Sequence, residues 1–317
     1  MSSVRYEICE IDPGHYLKVL KCHSDENVQI ETVNKNLFII IPGNPGIIDF
    51  YEHFAIDLNR KTNCPVIGIS HTGHLYHDSI TSWKPKPVIS QIMDKIKFIE
   101  KHLGDEYKYE NVTLIGHSIG CYVIIELLEL INHEFKNKIK KSFLFFPTIE
   151  RMSITPNGKV LLFFSEFLSW LVYFMALVIT FFPNMIRKHL IKIGLNNRHG
   201  SVNENLLIDG IENIVLKMSN NYSCFRSCFY MGANEMKIVT DLNKKAIEQN
   251  LDKLYFYYGS NDKWCPVNFY HEMRKFMSEI EKESADVHLD QLGLDHAFII
   301  FKKQCEIITD LVLINSK

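Results

Sequence analysis

The sequence predicts an α/β fold, a mostly parallel sheet flanked by helices. Three observations carry that expectation. Short segments rich in β-branched and aromatic residues alternate with longer stretches of helical period. One strand runs through a tight Gly-x-Ser-x-Gly turn straight into a helix. Two later strands are each followed by a loop that carries, in chain order, a carboxylate and then a histidine.

Taken in order, the expected strands are 5–9, 16–21, 37–41, 66–70, 112–115, 143–146, 254–258 and 287–289. Helices are expected over 88–102, 120–131 and 267–280. In the first helix Ile89, Ile92, Ile96 and Ile99 recur at the spacing of one apolar face. The strands before Asn44 have no helix between them, which predicts antiparallel hairpins at one edge of the sheet. Residues 1–150 and 251–317 then form two parts of one core, and 151–250 is an insertion between the sixth and seventh strands.

Composition narrows the functional classes. The chain of 317 residues is 46% hydrophobic and 23% charged, with a formal net charge of −2. That balance argues against a nucleic-acid binder, which would carry a basic face or tail. Lys95, Lys97 and Lys101 are interspersed with acids and read as a solvated helix face; Lys136, Lys138, Lys140 and Lys141 read as a solvated helix end. The N-terminal segment has Arg5, Glu7 and Glu10 and no apolar h-region, so no secretory signal is expected. The eight cysteines include no C-x-x-C pair, and Cys224 and Cys228 have no partner pair to complete a metal-ligand pattern. Reduced thiols, and neither a metal nor an organic cofactor, are the expectation.

Gly116-His117-Ser118-Ile119-Gly120 follows the apolar strand Val112-Thr113-Leu114-Ile115 and opens a helix. A serine on such a strained turn projects its Oγ above the sheet, and the flanking glycines let strand and helix approach. A serine hydroxyl needs a base to take its proton. Gly259-Ser260-Asn261-Asp262 follows the seventh strand, and Gly293-Leu294-Asp295-His296 follows the last. Ser118, Asp262 and His296 thus stand in the order serine, acid, histidine of the α/β-hydrolase fold. Asp262 would orient His296, and His296 would deprotonate Ser118. Glu150, just past the sixth strand, and Asp295 are rival acids, and His288 is a rival base inside a strand pattern.

Acyl transfer also needs donors for a developing oxyanion. One is expected from the backbone N–H of Ile119, after the serine. The other is expected from the loop Pro42-Gly43-Asn44-Pro45-Gly46, where Pro45 has no N–H and the Asn44 amide remains. Ser70-His71-Thr72-Gly73-His74 reads as support for the same face rather than as a reacting group.

One stretch breaks the α/β rhythm. Residues 160–182 read VLLFFSEFLSWLVYFMALVITFF, with Glu166 the single charge. It is long enough to span a bilayer as one helix. However, Ser118 precedes it while Asp262 and His296 follow it, so a single crossing would separate them. A re-entrant hairpin, an interfacial helix pair or a cap over the site remains. The segment is apolar all round, which favours a lipid surface contacted by Phe163, Phe164, Phe167, Trp170, Phe174, Phe181 and Phe182 over a purely internal cap. Lys159, Arg187, Lys188 and Lys192 flank it at positions suited to a headgroup layer.

The run Ile40-Ile41-Pro42-Gly43-Asn44-Pro45-Gly46 with Asp49-Phe50-Tyr51, the run Leu114 to Gly120, and Gly293-Leu294-Asp295-His296-Ala297-Phe298 together resemble the lipid droplet-associated hydrolase family. The resemblance extends over nearly the whole chain. It implies residence on the cytosolic face of endoplasmic reticulum and lipid droplets, and a role in neutral-lipid turnover with sterol esters as substrate. The expected activity is hydrolysis of a lipid ester through an acyl-Ser118 intermediate. Two alternatives use the same sequence: acyl transfer to an alcohol other than water, and a droplet-surface organising protein whose hydrolase site is weak or vestigial.

Overall fold

The computed structural model describes residues 2–24, 35–76, 84–103, 109–196, 207–282 and 285–316. Its first half runs β1 (Ser2–Asp12), β2 (His15–Ser24), β3 (Asn36–Ile41), α1 (Glu52–Thr62), β4 (Val66–Ile69), α2 (Val88–Leu103), β5 (Asn111–His117), α3 (Ile119–Leu130), α4 (His133–Lys138) and β6 (Ile139–Phe145). Five longer helices then intervene: α5 (Pro156–Phe167), α6 (Ser169–Thr180), α7 (Asn184–Asn196), α8 (Ile211–Asn220) and α9 (Tyr222–Ile238). The chain closes with α10 (Lys244–Gln249), β7 (Leu254–Tyr258), α11 (Val267–Glu279), β8 (Asp286–Leu289) and α12 (Lys302–Asn315).

Among the described residues the strands form one sheet in the order β1-β2-β4-β3-β5-β6-β7-β8. β1 and β2 form an antiparallel hairpin, and β2 pairs antiparallel with β4. Every other pairing is parallel. The hairpin expectation therefore holds for β1 and β2 and fails for β3, which lies inside the sheet between β4 and β5. The reason is in its composition. Leu37-Phe38-Ile39-Ile40-Ile41 offers no polar face to solvent, the pattern of a strand covered on both sides.

That coverage builds two cores. Leu37, Ile39 and Ile41 face one side with Leu114, Leu144 and Phe256, packed by Ile92, Ile96 and Ile99 of α2 and Val123, Ile124 and Leu127 of α3. Phe38 and Ile40 face the other with Phe143, Phe145 and Tyr257, packed by Phe54 and Leu58 of α1 and Ile308 and Val312 of α12. Successive side chains of one strand thus feed opposite layers. α2 departs from its expected face. Ile89 is exposed, and the buried stripe instead takes in Gln91 and Lys95, both fully covered. Lys95 is therefore not part of a solvated face. Its long apolar stem packs inside while its Nζ donates to the Ser70 carbonyl at 2.8 Å. Burial, partly offset by Asp94, pulls its pKa down to about 7.

Candidate active site

Four loops converge at the carboxyl ends of the parallel strands, where open α/β sheets leave a crevice. At the end of β5, Ser118 turns the chain into α3 with φ 54° and ψ −123°. Such a backbone is strained for a residue bearing a Cβ. It is held by the Ser118 amide donating to the Phe145 carbonyl on β6 at 3.0 Å. Both motif glycines sit where a side chain would be crowded, Gly120 the more severely. A Cβ on Gly116 would stand 3.0 Å from the Cys121 backbone, and one on Gly120 would stand 2.2 Å from the Ile41 carbonyl oxygen.

The loop after β8 brings His296 to that turn. His296 Nε2 lies 2.9 Å from Ser118 Oγ, and His296 Nδ1 lies 2.5 Å from Asp262 Oδ2 on the loop after β7. Asp262 Oδ1 accepts from the Trp264 and Cys265 amides at 2.7 and 3.2 Å, which fixes the carboxylate against rotation. With Nδ1–H donated to Asp262, Nε2 is the free acceptor for the serine proton. The three residues named from sequence are thus joined end to end. Their rivals are elsewhere. Glu150 is paired with Arg151 at 2.7 Å. Asp295 accepts from the Ala297 amide at 2.7 Å. His288 stacks on the Tyr255 ring at 4.6 Å.

The loop at 42–46 lies against the serine, where a Cβ on Gly43 would come within 3.0 Å of Ser118 Cβ. The Gly43 N–H is taken by Tyr51 Oη at 2.8 Å. Among the described residues, no protein acceptor engages the N–H of Asn44 or of Ile119. Ile119 follows Ser118 directly, and Asn44 lines the same cavity as Ser118. The Asn44 side chain points the other way, and its Nδ2 donates to the Cys228 carbonyl at 3.0 Å and to Glu235 Oε1 at 3.1 Å, both on α9. Burial pushes Glu235 up to about 8, so the acid is neutral at ordinary pH despite the opposing Asn44 hydrogen bond. Behind this loop, the Gly46 amide donates to His74 Nδ1 and the His71 amide to the Gly46 carbonyl, each at 3.0 Å. The 70–74 segment therefore braces the loop.

Two residues with no assigned role in the sequence reading tie these loops together. Tyr51 Oη, having accepted from Gly43, lies 2.7 Å from His117 Nδ1. His117 Nε2 lies 2.7 Å from the His296 carbonyl oxygen. Burial, with His296 adding to it, holds His117 down to about 3, so the ring is neutral and carries one proton. Only one assignment satisfies every atom: Tyr51 O–H donates to Nδ1, and Nε2–H donates to the carbonyl. The residue between Gly116 and Ser118 was the available signal, but a variable position in a short motif does not announce a tertiary contact.

The sequence matches the family described as lipid-droplet associated hydrolase over residues 34–299. The chain belongs to that family. Relatives named lipid droplet-associated hydrolase include one from Drosophila melanogaster, 33% identical over 300 residues that cover 89% of this chain and 91% of the relative. Another, from Homo sapiens, is 31% identical over 319 residues, covering 90% and 87%. Among solved structures, an α/β-hydrolase fold protein from Burkholderia ambifaria superposes with a TM-score of 0.57 at 13% identity, covering 99% of this chain and all of that one. The fold is that of the α/β hydrolases, and the chain is a hydrolase of the lipid-droplet associated family.

In this family member a cavity of about 480 Å³ opens over Ser118 and His296. Its walls are largely apolar: Phe50, Trp264 and Ile299 on the core side, and Ile211, Val215 and Met218 along one face of α8. Ile191 and Leu195 of α7 close it from the insertion side. α5 and α6 meet at 90° about Leu168, and among the described residues no single helix is long and apolar enough to cross a membrane. The seven aromatic residues singled out from sequence are all exposed, from 38% for Phe182 to 78% for Phe181. They do not form the interior of a buried cap. Met185, Ile186, Leu190 and Ile193 of α7 extend the exposed apolar surface, which the sequence reading did not include. Arg187 is not free to meet a headgroup layer, the role expected for it. It is buried, with Nη2 donating to Asn184 Oδ1 at 2.7 Å.

Proposed function

We propose that this hydrolase cleaves the ester of a neutral lipid, a sterol ester being the leading candidate, at the cytosolic face of lipid droplets and endoplasmic reticulum. The observation that carries the reading is the unbroken hydrogen-bonded chain from Ser118 through His296 to Asp262 under an apolar cavity. Ser118 Oγ attacks the ester carbonyl as His296 Nε2 takes its proton, and Asp262 stabilises the imidazolium that forms. The carbonyl oxygen becomes an oxyanion that accepts from the Asn44 and Ile119 amides. His296 then returns its proton to the leaving alkoxide, which departs as the alcohol. Water, deprotonated by the same imidazole, releases the fatty acid from acyl-Ser118. The preference for a neutral lipid follows from cavity walls that, among the described residues, offer hydrophobic side chains and no lysine or arginine to a charged head.

The exposed faces of α5, α6 and α7 support residence at a lipid surface. Relatives carry lipid droplets in their names, and burying even ten large apolar side chains yields on the order of 15–30 kcal/mol gross. The bent helix pair lies in the interface with both its ends on the cytosolic side, which keeps Ser118, Asp262 and His296 in one compartment.

The test is labelling of the purified protein by a fluorophosphonate, with wild type, Ser118→Ala and His296→Ala compared in the presence of lipid. Loss of the nucleophile or base in such constellations costs about 10⁶ in kcat. Labelling of wild type alone sustains the reading. A folded wild type that stays unlabelled overturns it, and favours a droplet-surface organising role carried by the same exposed helices.

A further inference from the structure

A second apolar space lies beside the catalytic cavity and is not part of it. It measures about 390 Å³ and sits between α6, the end of α5, and the junction of α8 with α9. Phe164, Val172, Met175, Ala176 and Ile179 line it together with Met218. Its few polar atoms are accounted for in part by the Ser219 hydroxyl, which donates to the Leu216 carbonyl of its own helix at 2.7 Å.

Three features give this cleft a direction. Phe164 and Met175 belong both to its lining and to the exposed apolar surface, so its mouth opens where α5 and α6 would meet lipid. Ala176, also in the lining, is buried. Met218, on α8, lines both this cleft and the cavity that holds Ser118. One face of α8, Ile211, Val215 and Met218, therefore walls the catalytic cavity while its last turn walls the cleft.

We propose that the cleft takes the alkyl chain of the lipid substrate. The chain runs from the surface of α5 and α6, past Met218, to the ester held over Ser118. The inference rests on Ser118 acting on a lipid ester, and adds a binding site and a route to it. The occupant is a hydrocarbon chain because the walls offer it methyl, methylene and aromatic surface and almost no hydrogen bond. The volume lies in the range of ordinary small-ligand sites. Met218 suits the junction, since an unbranched thioether changes shape at low cost to fit what lies against it. A chain left in the lipid phase at one end and reacting at the other never has to cross water.

The experiment uses the full-length protein and two readouts. The first is the ratio of kcat/KM for p-nitrophenyl palmitate to that for p-nitrophenyl butyrate. Ala176→Trp fills the cleft from within, and the ratio is expected to fall about tenfold or more, the effect of denying burial to as few as two methylenes. The second is binding of cis-parinaric acid, a fluorescent fatty acid, which needs no reactive serine and is expected to weaken by the same factor. Trp170→Ser, which alters the exposed surface and not the cleft, serves as the comparison. An unchanged ratio and unchanged binding in folded Ala176→Trp overturn the proposal. Should that variant fail to fold, Val172→Phe narrows the same space from a half-buried wall and is read identically. If wild type hydrolyses neither ester, the hydrolase reading has failed, while the parinaric acid result still decides whether the cleft binds a chain.

Discussion

Tyr51 Oη stands 2.7 Å from His117 Nδ1 and 2.8 Å from the Gly43 amide, so one phenol links the residue before the serine to the loop that lies against it. Through His117 the link continues to the His296 carbonyl at 2.7 Å. Tyr51→Phe leaves a buried N–H and a buried ring nitrogen without partners. The cost is about 1–3 kcal/mol for each buried group left unsatisfied. Urea denaturation is expected to show lower stability, and fluorophosphonate labelling a slower rate. Unchanged values for both would mean the link is ornamental.

Asp262 and Glu150 make different predictions as the acid. On the proposed mechanism Asp262→Asn loses about 10⁴ in kcat, because the amide no longer holds the imidazole in the reactive tautomer. Glu150→Gln is expected to stay within about tenfold of wild type, since it breaks only the Arg151 pair. Ester hydrolysis by the two variants, measured side by side, checks this, and the reverse order would move the acid to Glu150.

The backbone of Ser118 stores strain at φ 54° and ψ −123°. Ser118→Gly relieves it and Ser118→Ala does not. The glycine variant is expected to be more stable than the alanine variant by about 1 kcal/mol, the low end of the cost of such a conformation after the extra unfolded-state entropy of glycine. Thermal melts of the two inactive proteins provide the comparison. A glycine variant that melts below the alanine variant would place the turn at no cost.

Glu235, raised by burial to about 8 from an ordinary value of 4.5, is protonated in the fold and ionised in the unfolded chain between those limits. The native state therefore binds the extra proton, and this contribution to stability is complete below about pH 4.5 and is lost as pH rises through about 8. Glu235→Gln keeps an acceptor for Asn44 and cannot ionise. Its melting temperature is expected to decline less than that of wild type across that window. A parallel decline in both would assign the pH dependence to other groups.

Trp170 and Phe181 are exposed at 67% and 78% on the apolar helices. Replacing both with Glu removes about 1.5–3 kcal/mol of burial each and adds charges that lipid disfavours. Flotation with phospholipid-coated triolein droplets is expected to recover far less of this variant than of wild type. Equal recovery would place the lipid contact elsewhere.

What could be read in the sequence was what chemistry dictates locally. Ser118, Asp262 and His296 were legible because a nucleophile, an acid and a base must appear in one order after particular strands. The loop that carries Asn44 was legible as a neighbour of Ser118, because proline and glycine mark a tight turn after a buried strand. The placement of β3 was not, since strand pairing is settled between segments far apart in the chain. The run of five apolar residues from Leu37 to Ile41 held the answer, but the missing helices before Asn44 drew attention to an edge. Lys95 misled for a related reason: a lysine's long stem allows burial whenever a carbonyl such as that of Ser70 waits at its tip. The bend at Leu168 has no Gly or Pro to mark it.

The grip of α9 on Asn44 bears on how a shortened form of this protein could be engineered. Residues 151–250 look removable as a block, because they interrupt an otherwise regular alternation of strands and helices. Yet α9 holds the Asn44 side chain through Cys228 and Glu235, and its Asn234 caps the start of α2 by accepting from the Val88 amide at 2.9 Å. Excision of the whole block would free the loop that lies against Ser118. The cut that spares the chemistry lies earlier, and a truncation scheme should retain α9 and replace only the outward faces of α5, α6 and α7.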